Sequence, residues 1–226
     1  MIAANCQPPI SNWPTPFSPS CIFHGALHDD AAVNALTWFA HRVWPELTLR
    51  LPQATFVIGG RGSRHRVQEL GMIPGVILAC GVFEESIYFS AATIAVFPYR
   101  YACTAQEDVL HALAMRKAVI ATPVTVDGLG LISGVHVRVV NTTSDWIAVT
   151  YHLMLHPEVC AELGRAGGDW ENRNSDANYN SGNRQRPGSQ TNCCDPQHTQ
   201  GTSPTSSHRP PVPASGAANE LSKEGI

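Results

Sequence analysis

The chain has 226 residues, 43% of them hydrophobic, which suits one globular domain with or without a tail and is short for two full domains. Only 15% are charged, and 15 Lys and Arg against 18 Asp and Glu leave a formal charge of -3. The basic footprint of a general nucleic-acid binder is therefore missing, and no nucleic-acid partner is expected.

Residues 1–19 hold five prolines and no basic stretch followed by an apolar one, so they read as an extended leader or linker without a secretory signal. The expected location is the cytoplasm. The longest apolar runs, such as 91–98 with Thr93 inside it, fall far short of the roughly 20 residues that cross a bilayer, and no transmembrane segment is expected. Seven cysteines without a CxxC spacing argue against a disulfide framework and a zinc ribbon. His24 and His28 form an early i,i+4 pair but straddle a strand end, where loop histidines are the simpler reading. Neither a metal nor a cofactor is expected.

From residue 20 to 170 short apolar runs alternate with helical patterns. The runs at 21–24, 55–58, 76–79, 94–97, 118–121 and 136–140 lack period-2 polarity and suit strands buried on both faces. Val33, Leu36, Phe39, Ala40, Val43, Leu47 and Leu51 recur at three and four residues and predict one helical stripe, started by Asp29 and Asp30, whose carboxylates suit a helix N-terminus. Further helices are expected at 64–70, 84–92, 106–116, 144–155 and 157–165. Trp38, Trp44 and Tyr88 read as core. Strands and helices in this order predict an α/β domain with a doubly wound parallel sheet, Rossmann-like, with ligands held beyond the carboxyl ends of the strands.

Beyond Trp170 the composition changes. Residues 171–226 contain Val212, Leu221 and Ile226 as their only aliphatics besides alanine and Tyr179 as their only aromatic, so they cannot bury enough apolar surface to offset ordering and read as a disordered low-complexity tail. The expected division is thus 1–19, 20–170 and 171–226. The Pro-rich stretch at 208–213 reads as solvated chain rather than as a ligand for an SH3-like or WW-like groove.

Two of the strand-end loops carry candidate chemistry. Gly59-Gly60-Arg61-Gly62-Ser63-Arg64 combines glycines with two guanidinium groups before a helix, a setting for phosphate or simply a tight turn. His65 stands where a GxGxxG fingerprint needs its last glycine, so this is a weak dinucleotide signal. The second loop runs from Pro98 to Glu107 and leads into the segment DVLHALAMRKAVIATP.

In that segment Val109, Leu110, Ala112, Ala114, Met115, Lys117, Val119, Ala121, Thr122 and Pro123 match the pattern of the C-terminal, nucleotide-sugar-binding domain of GT-B glycosyltransferases, family 4 or group 1 type. The resemblance extends from Cys21 to about Trp170, through the loop at Gly25, the helix NALTWFAHRVWP, the strand and turn LPQATFVIGGRG, and Asp127 to Leu129. It implies a glycosyltransferase of hexosyl type with a nucleotide-sugar as partner. It places the nucleotide-sugar site at Gly25, Gly60, Arg61, Arg100, Gln106, Glu107, Val109, Leu110 and His111, with Val109 and Leu110 giving backbone N–H groups to the diphosphate and His111 standing where a glutamate receives the ribose hydroxyls. No catalytic residue is assigned.

The chain departs from the pattern at several positions. His111 replaces the ribose glutamate, and an imidazole accepts one hydrogen bond where a carboxylate accepts several. Asp108 replaces a lysine, Ala102 and Thr104 replace turn glycines, Arg116 replaces the glycine after the helix, and Asp30 stands where relatives carry a basic residue. Arg61, Arg64 and Arg100 remain as phosphate partners or as solvated surface arginines. Read against the resemblance, residues 1–20 resemble the interdomain connector, the N-terminal acceptor domain of the family is expected to lie outside this sequence, and a separately encoded acceptor domain is the implied partner. Asp169 to Asn174 resembles the start of the family's last segment, followed by what reads as a frame-shifted or fused end. The isolated chain is expected to be inactive or to need that partner. The alternatives are a degenerate, non-catalytic nucleotide-binding remnant or interaction module, a GT-B relative such as an epimerase, and an unrelated doubly wound domain.

Overall fold

The computed structural model describes residues 19–62, 65–80, 89, 92–101 and 105–180. The leader at 1–18, Arg64, most of the helix expected at 84–92 with Tyr88, the turn with Ala102 and Thr104, and everything past residue 180 lie outside the described residues.

Six strands make one sheet: β1 (Ser20–Ala26), β2 (Thr55–Arg61), β3 (Val76–Cys80), β4 (Ile94–Phe97), β5 (Ala118–Ala121) and β6 (Arg138–Val139). Their order is β3-β2-β1-β4-β5-β6, and every pair is parallel. Ser20 stands opposite Thr55, and Ile94 opposite Ala118. β4 and β5 are buried along their whole length, as expected for strands covered on both faces. The strand expected at 136–140 shrinks to two residues because a tight turn takes up the preceding backbone. Gly134 N–H donates to the Val137 carbonyl at 2.7 Å, and Ile132 N–H donates to His136 Nδ1 at 3.2 Å. Burial, and Arg173 nearby, hold the His136 imidazole below its usual pKa, in keeping with that acceptor role.

The stripe expected as one helix is two, α1 (Asp30–Arg42) and α2 (Trp44–Arg50). Pro45 has no N–H to return to the preceding turn, so the chain breaks at Val43 and restarts with proline in the first turn. Burial of the stripe survives the break: Val33, Leu36, Phe39, Ala40, Val43, Leu47 and Leu51 are all inside. Asp29 caps α1, its carboxylate accepting from Ala31 N–H at 3.2 Å.

The remaining helices are α3 (His65–Leu70), α4 (Gln106–Ala114), the single turn α5 (Pro123–Val126), α6 (Thr143–Leu155) and α7 (Pro157–Asn180). Right-handed crossovers set α1 to α3 on one face of the sheet and α4 on the other. After β6 the chain returns to the first face, where α6 touches α2 and β4, and then α7 packs on α4 and β5. The aromatic centre lies under α1 and α6. Phe39 sits 4.9 Å from Phe56 and 5.7 Å from Trp146, centroid to centroid, and each such buried ring stabilises the fold by roughly 1.5–3 kcal/mol.

α7 runs on to Asn180, well past the expected end at residue 165. The glycines of α7 form a contact surface. A Cβ on Gly164 would lie 2.2 Å from the Arg116 carbonyl oxygen, one on Gly167 2.6 Å from Leu113 Cδ2, and one on Gly168 2.7 Å from Arg116 Cγ. Their missing side chains let α7 lie directly on the end of α4. Among the described residues no helix is long and apolar enough to cross a membrane.

Candidate functional site

The strand order reverses between β1 and β4, and folds of this kind hold their ligands beyond the carboxyl ends of the strands at such a point. Gly25 and Gly60 face each other there in register. Gly60 has φ 140°, and a Cβ on it would sit 1.9 Å from the Gly25 carbonyl oxygen, so this contact admits glycine alone. On the other side, a Cβ on Gly25 would meet Tyr99 Oη at 3.0 Å and Asp108 Oδ2 at 3.1 Å. Two loops and the first turn of α4 thus converge on the buried Gly25.

Beside it lies a cluster of rings. His24, at the end of β1, stacks on His111 of α4 with centroids 6.1 Å apart and planes 25° apart, and Phe89 touches both at 5.4 and 5.2 Å. The expected ribose position is therefore an imidazole held against a second imidazole and a phenyl ring.

The start of α4 differs from expectation by a few residues. Val109 N–H already donates to the Ala105 carbonyl at 3.1 Å, and its side chain is fully buried, while Leu110 lies one residue deeper in the helix. The amides ahead of the first intrahelical bond belong to Gln106, Glu107 and Asp108. Gln106 Nε2 is taken by the Asp127 carbonyl at 2.6 Å, which ties α4 to the loop after β5. Glu107 is exposed, and with Asp108 it makes the first turn acidic.

The arginines make contacts of their own. Arg61 is exposed, and its carbonyl accepts from Leu27 N–H at 2.9 Å. Arg100 lies over the ring of Trp38 on α1, 5.7 Å from guanidinium carbon to centroid, and lines a cavity of about 560 Å³ bounded by α1, α6 and the chain leaving β4, β5 and β6. Thr122 on its wall donates to the Tyr99 carbonyl at 2.5 Å and shares a hydrogen bond of 2.7 Å with Thr125. Sequence reasoning missed this cavity, because Trp38 and Trp146 look like ordinary core. Its one legible sign was Thr142 three residues before Asp145, the spacing of a capping pair. Among the described residues no group of three or more His, Cys, Asp or Glu is arranged to hold a metal ion.

A family model described as glycosyl transferases group 1 matches residues 18–153, well over half of the chain. The chain belongs to the group 1 glycosyl transferases. Comparison with curated proteins returns no match. Among solved structures, TarM is similar at 12% identity and a TM-score of 0.58, over 69% of this chain and 32% of TarM. The C-terminal domain of LpcC, a group 1 family glycosyl transferase from Francisella tularensis, is similar at 16% identity and a TM-score of 0.56, over 76% of this chain and 94% of that domain. Anabaena HepE, solved with UDP and glucose, is similar at 11% identity and a TM-score of 0.54, over 73% of this chain and 48% of HepE. The likeness at these identities is one of fold. This chain spans about a third of TarM and about half of HepE, but nearly all of the isolated C-terminal domain.

The end of α4 is wound tightly. Lys117 N–H closes on the Ala112 carbonyl at 3.0 Å and Arg116 N–H on that of Leu113 at 2.8 Å, which puts Arg116 in the left-handed region with φ 53°. Arg116 stands where the resemblance places glycine, and a side chain there costs roughly 1–2 kcal/mol. A surface ion pair from Arg116 to Asp169, at 2.9 Å, offsets part of that. The half-buried Lys117 donates to the Ala92 carbonyl at 2.9 Å, and burial lowers its pKa.

Proposed function

We propose that this chain is the donor-binding half of a glycosyltransferase, taking a nucleotide-sugar in the crevice between β1 and α4. The observation that carries the reading is the convergence, at the point where the strand order reverses, of Gly25, the Gly60 turn and the first turn of α4. The amides that lead α4, those of Gln106 and Glu107, would face the diphosphate, and glycine at 25 and 60 lets the two strand ends and the first turn of α4 close on one another there. His111 would meet the ribose with a single acceptor. HepE, solved with UDP and glucose, lends support as a relative in fold.

The same residues make the affinity weak. Asp108 sets a carboxylate beside the diphosphate position, a repulsion of about 1 kcal/mol or more when partly screened. On this reading a bound sugar stays open to water and its acceptor unpositioned until a second wall closes over the site, so this domain by itself is expected to bind a donor rather than to transfer it. A second reading, a non-catalytic remnant, is favoured by the acidic first turn of α4 and by the loss of the ribose carboxylate.

Calorimetric titration with UDP and GDP separates the two. The donor-binding reading expects weak saturable binding that tightens at least tenfold, about 1.4 kcal/mol, in the double variant His111→Glu with Asp108→Lys. No heat of binding in either form overturns it in favour of the remnant.

A further inference from the structure

The turn ahead of β6 is held by polar contacts more than by burial. Ile132 and Val135 on it are 57% and 49% exposed, so little apolar area fastens it to the domain. The Ile132 carbonyl accepts from Val135 N–H at 3.2 Å and from His136 N–H at 2.9 Å, and Ser133 Oγ accepts from Val139 N–H at 3.2 Å. The strand that follows lies at the edge of the sheet and pairs with β5 through two residues, Arg138 and Val139. A segment of this kind opens more easily than the strands behind it.

His136 fastens the turn. It is 9% exposed and grips Ile132 twice, its backbone N–H on the Ile132 carbonyl and its ring Nδ1 on the Ile132 N–H at 3.2 Å. α7 packs against the same residue. Trp170 lies beside the imidazole with centroids 6.0 Å apart, and Gly167 comes so close that a Cβ on it would sit 2.8 Å from the His136 carbonyl oxygen. Arg173, one turn past Trp170, is the charged group that acts on the ring, and no carboxylate among the described residues is paired with it.

A ring nitrogen accepts the Ile132 N–H only while it carries no proton. Protonation would set one N–H against another, bury a cation and bring it toward Arg173. The face of Trp170 gives a cation some attraction in return. The balance still goes against the charged form, since burial first and Arg173 second hold the His136 imidazole below its usual pKa.

We propose that His136 is an acid-operated latch, whose neutral ring closes the 132–137 turn and seats it against α7, and whose protonation opens that turn and frees the start of β6. Because the closed turn favours the neutral ring, the hold is complete above the roughly 6.5 of a solvated histidine. It is lost progressively as the pH falls from there toward the lowered pKa of the closed form, and no further below that.

The test is amide hydrogen exchange and histidine-ring NMR on the full chain. Corrected for intrinsic rates, protection of the Ile132 N–H should fall several-fold more than that of Ile120 in β5 between about pH 7.5 and about pH 5. His136→Asn sets an acceptor oxygen near the place of Nδ1 and does not titrate, so Ile132 should stay protected in it at both pH values. His136→Phe keeps a ring and loses the acceptor, and should leave Ile132 unprotected at both. Ring nitrogen shifts of the parent at about pH 7.5 should show Nδ1 as the nitrogen without a proton. A proton on Nδ1 at that pH, no loss of protection in the parent, or an equal loss in His136→Asn overturns the latch.

Discussion

Two helices start on the carboxyl edge of the same sheet, and they start differently. α4 follows Ala105, which is already helical at φ -72° and ψ -1° and offers no side-chain cap, and its first turn carries Glu107 and Asp108. α6 follows Thr142, extended at φ -94° and ψ 155°, whose hydroxyl receives Asp145 N–H. α4 nevertheless has full core contacts, with Val109, Ala112 and Leu113 fully buried, although its start is uncapped and acidic and its final turn holds Arg116 at positive φ. What packs a helix and what sits at its ends are separate properties of its residues, and in α4 the first is well met where the second is not.

The largest effect on this contrast should come from Gly164→Val. The new side chain would drive into the Arg116 carbonyl and part α7 from α4, costing about 3 kcal/mol or more and lowering the melting temperature by many degrees. A variant that melts with the parent would mean that the α4 contacts do not rest on this close approach. Thr142→Ala should cost about 1 kcal/mol in urea unfolding, because it removes the cap that α4 never had. A loss near zero would make the two helix starts energetically alike. The smallest effect is expected from Arg116→Gly. Relief of the left-handed strain is worth roughly 1 kcal/mol, loss of the exposed pair with Asp169 returns a few tenths, and the net result is a modestly raised unfolding midpoint. A lowered midpoint would show the ion pair to outweigh the strain.

The sheet was legible because strands covered on both faces need unbroken apolar runs, and 94–97 and 118–121 match β4 and β5 residue for residue. Features that depend on a single residue's geometry were harder. Pro45 breaks a stripe whose periodicity does not change across it, and the need for glycine at 167 and 168 comes from residues of other elements that they touch, Leu113, Arg116 and His136. At the site, Gly25, Gly60 and the α4 loop could be named from their places after strands. The offset between Val109 and the amides that lead the helix could not, since it depends on which residue closes the first turn. The cavity was hidden for a different reason. Trp38, Arg100, Thr122 and Thr142 are far apart in the chain and belong to no motif, and their meeting is a product of topology.

The bare face of α7 has a consequence for how this domain can change. A residue inserted or deleted between Pro157 and Gly164 turns everything after it by about 100° around the helix axis. Gly164, Gly167 and Gly168 would then swing away, and bulkier neighbours would be pressed onto the Arg116 turn. Substitution on the outer side of α7 is tolerable, but its length up to Gly168 is as constrained as the pitch of a screw in a threaded hole.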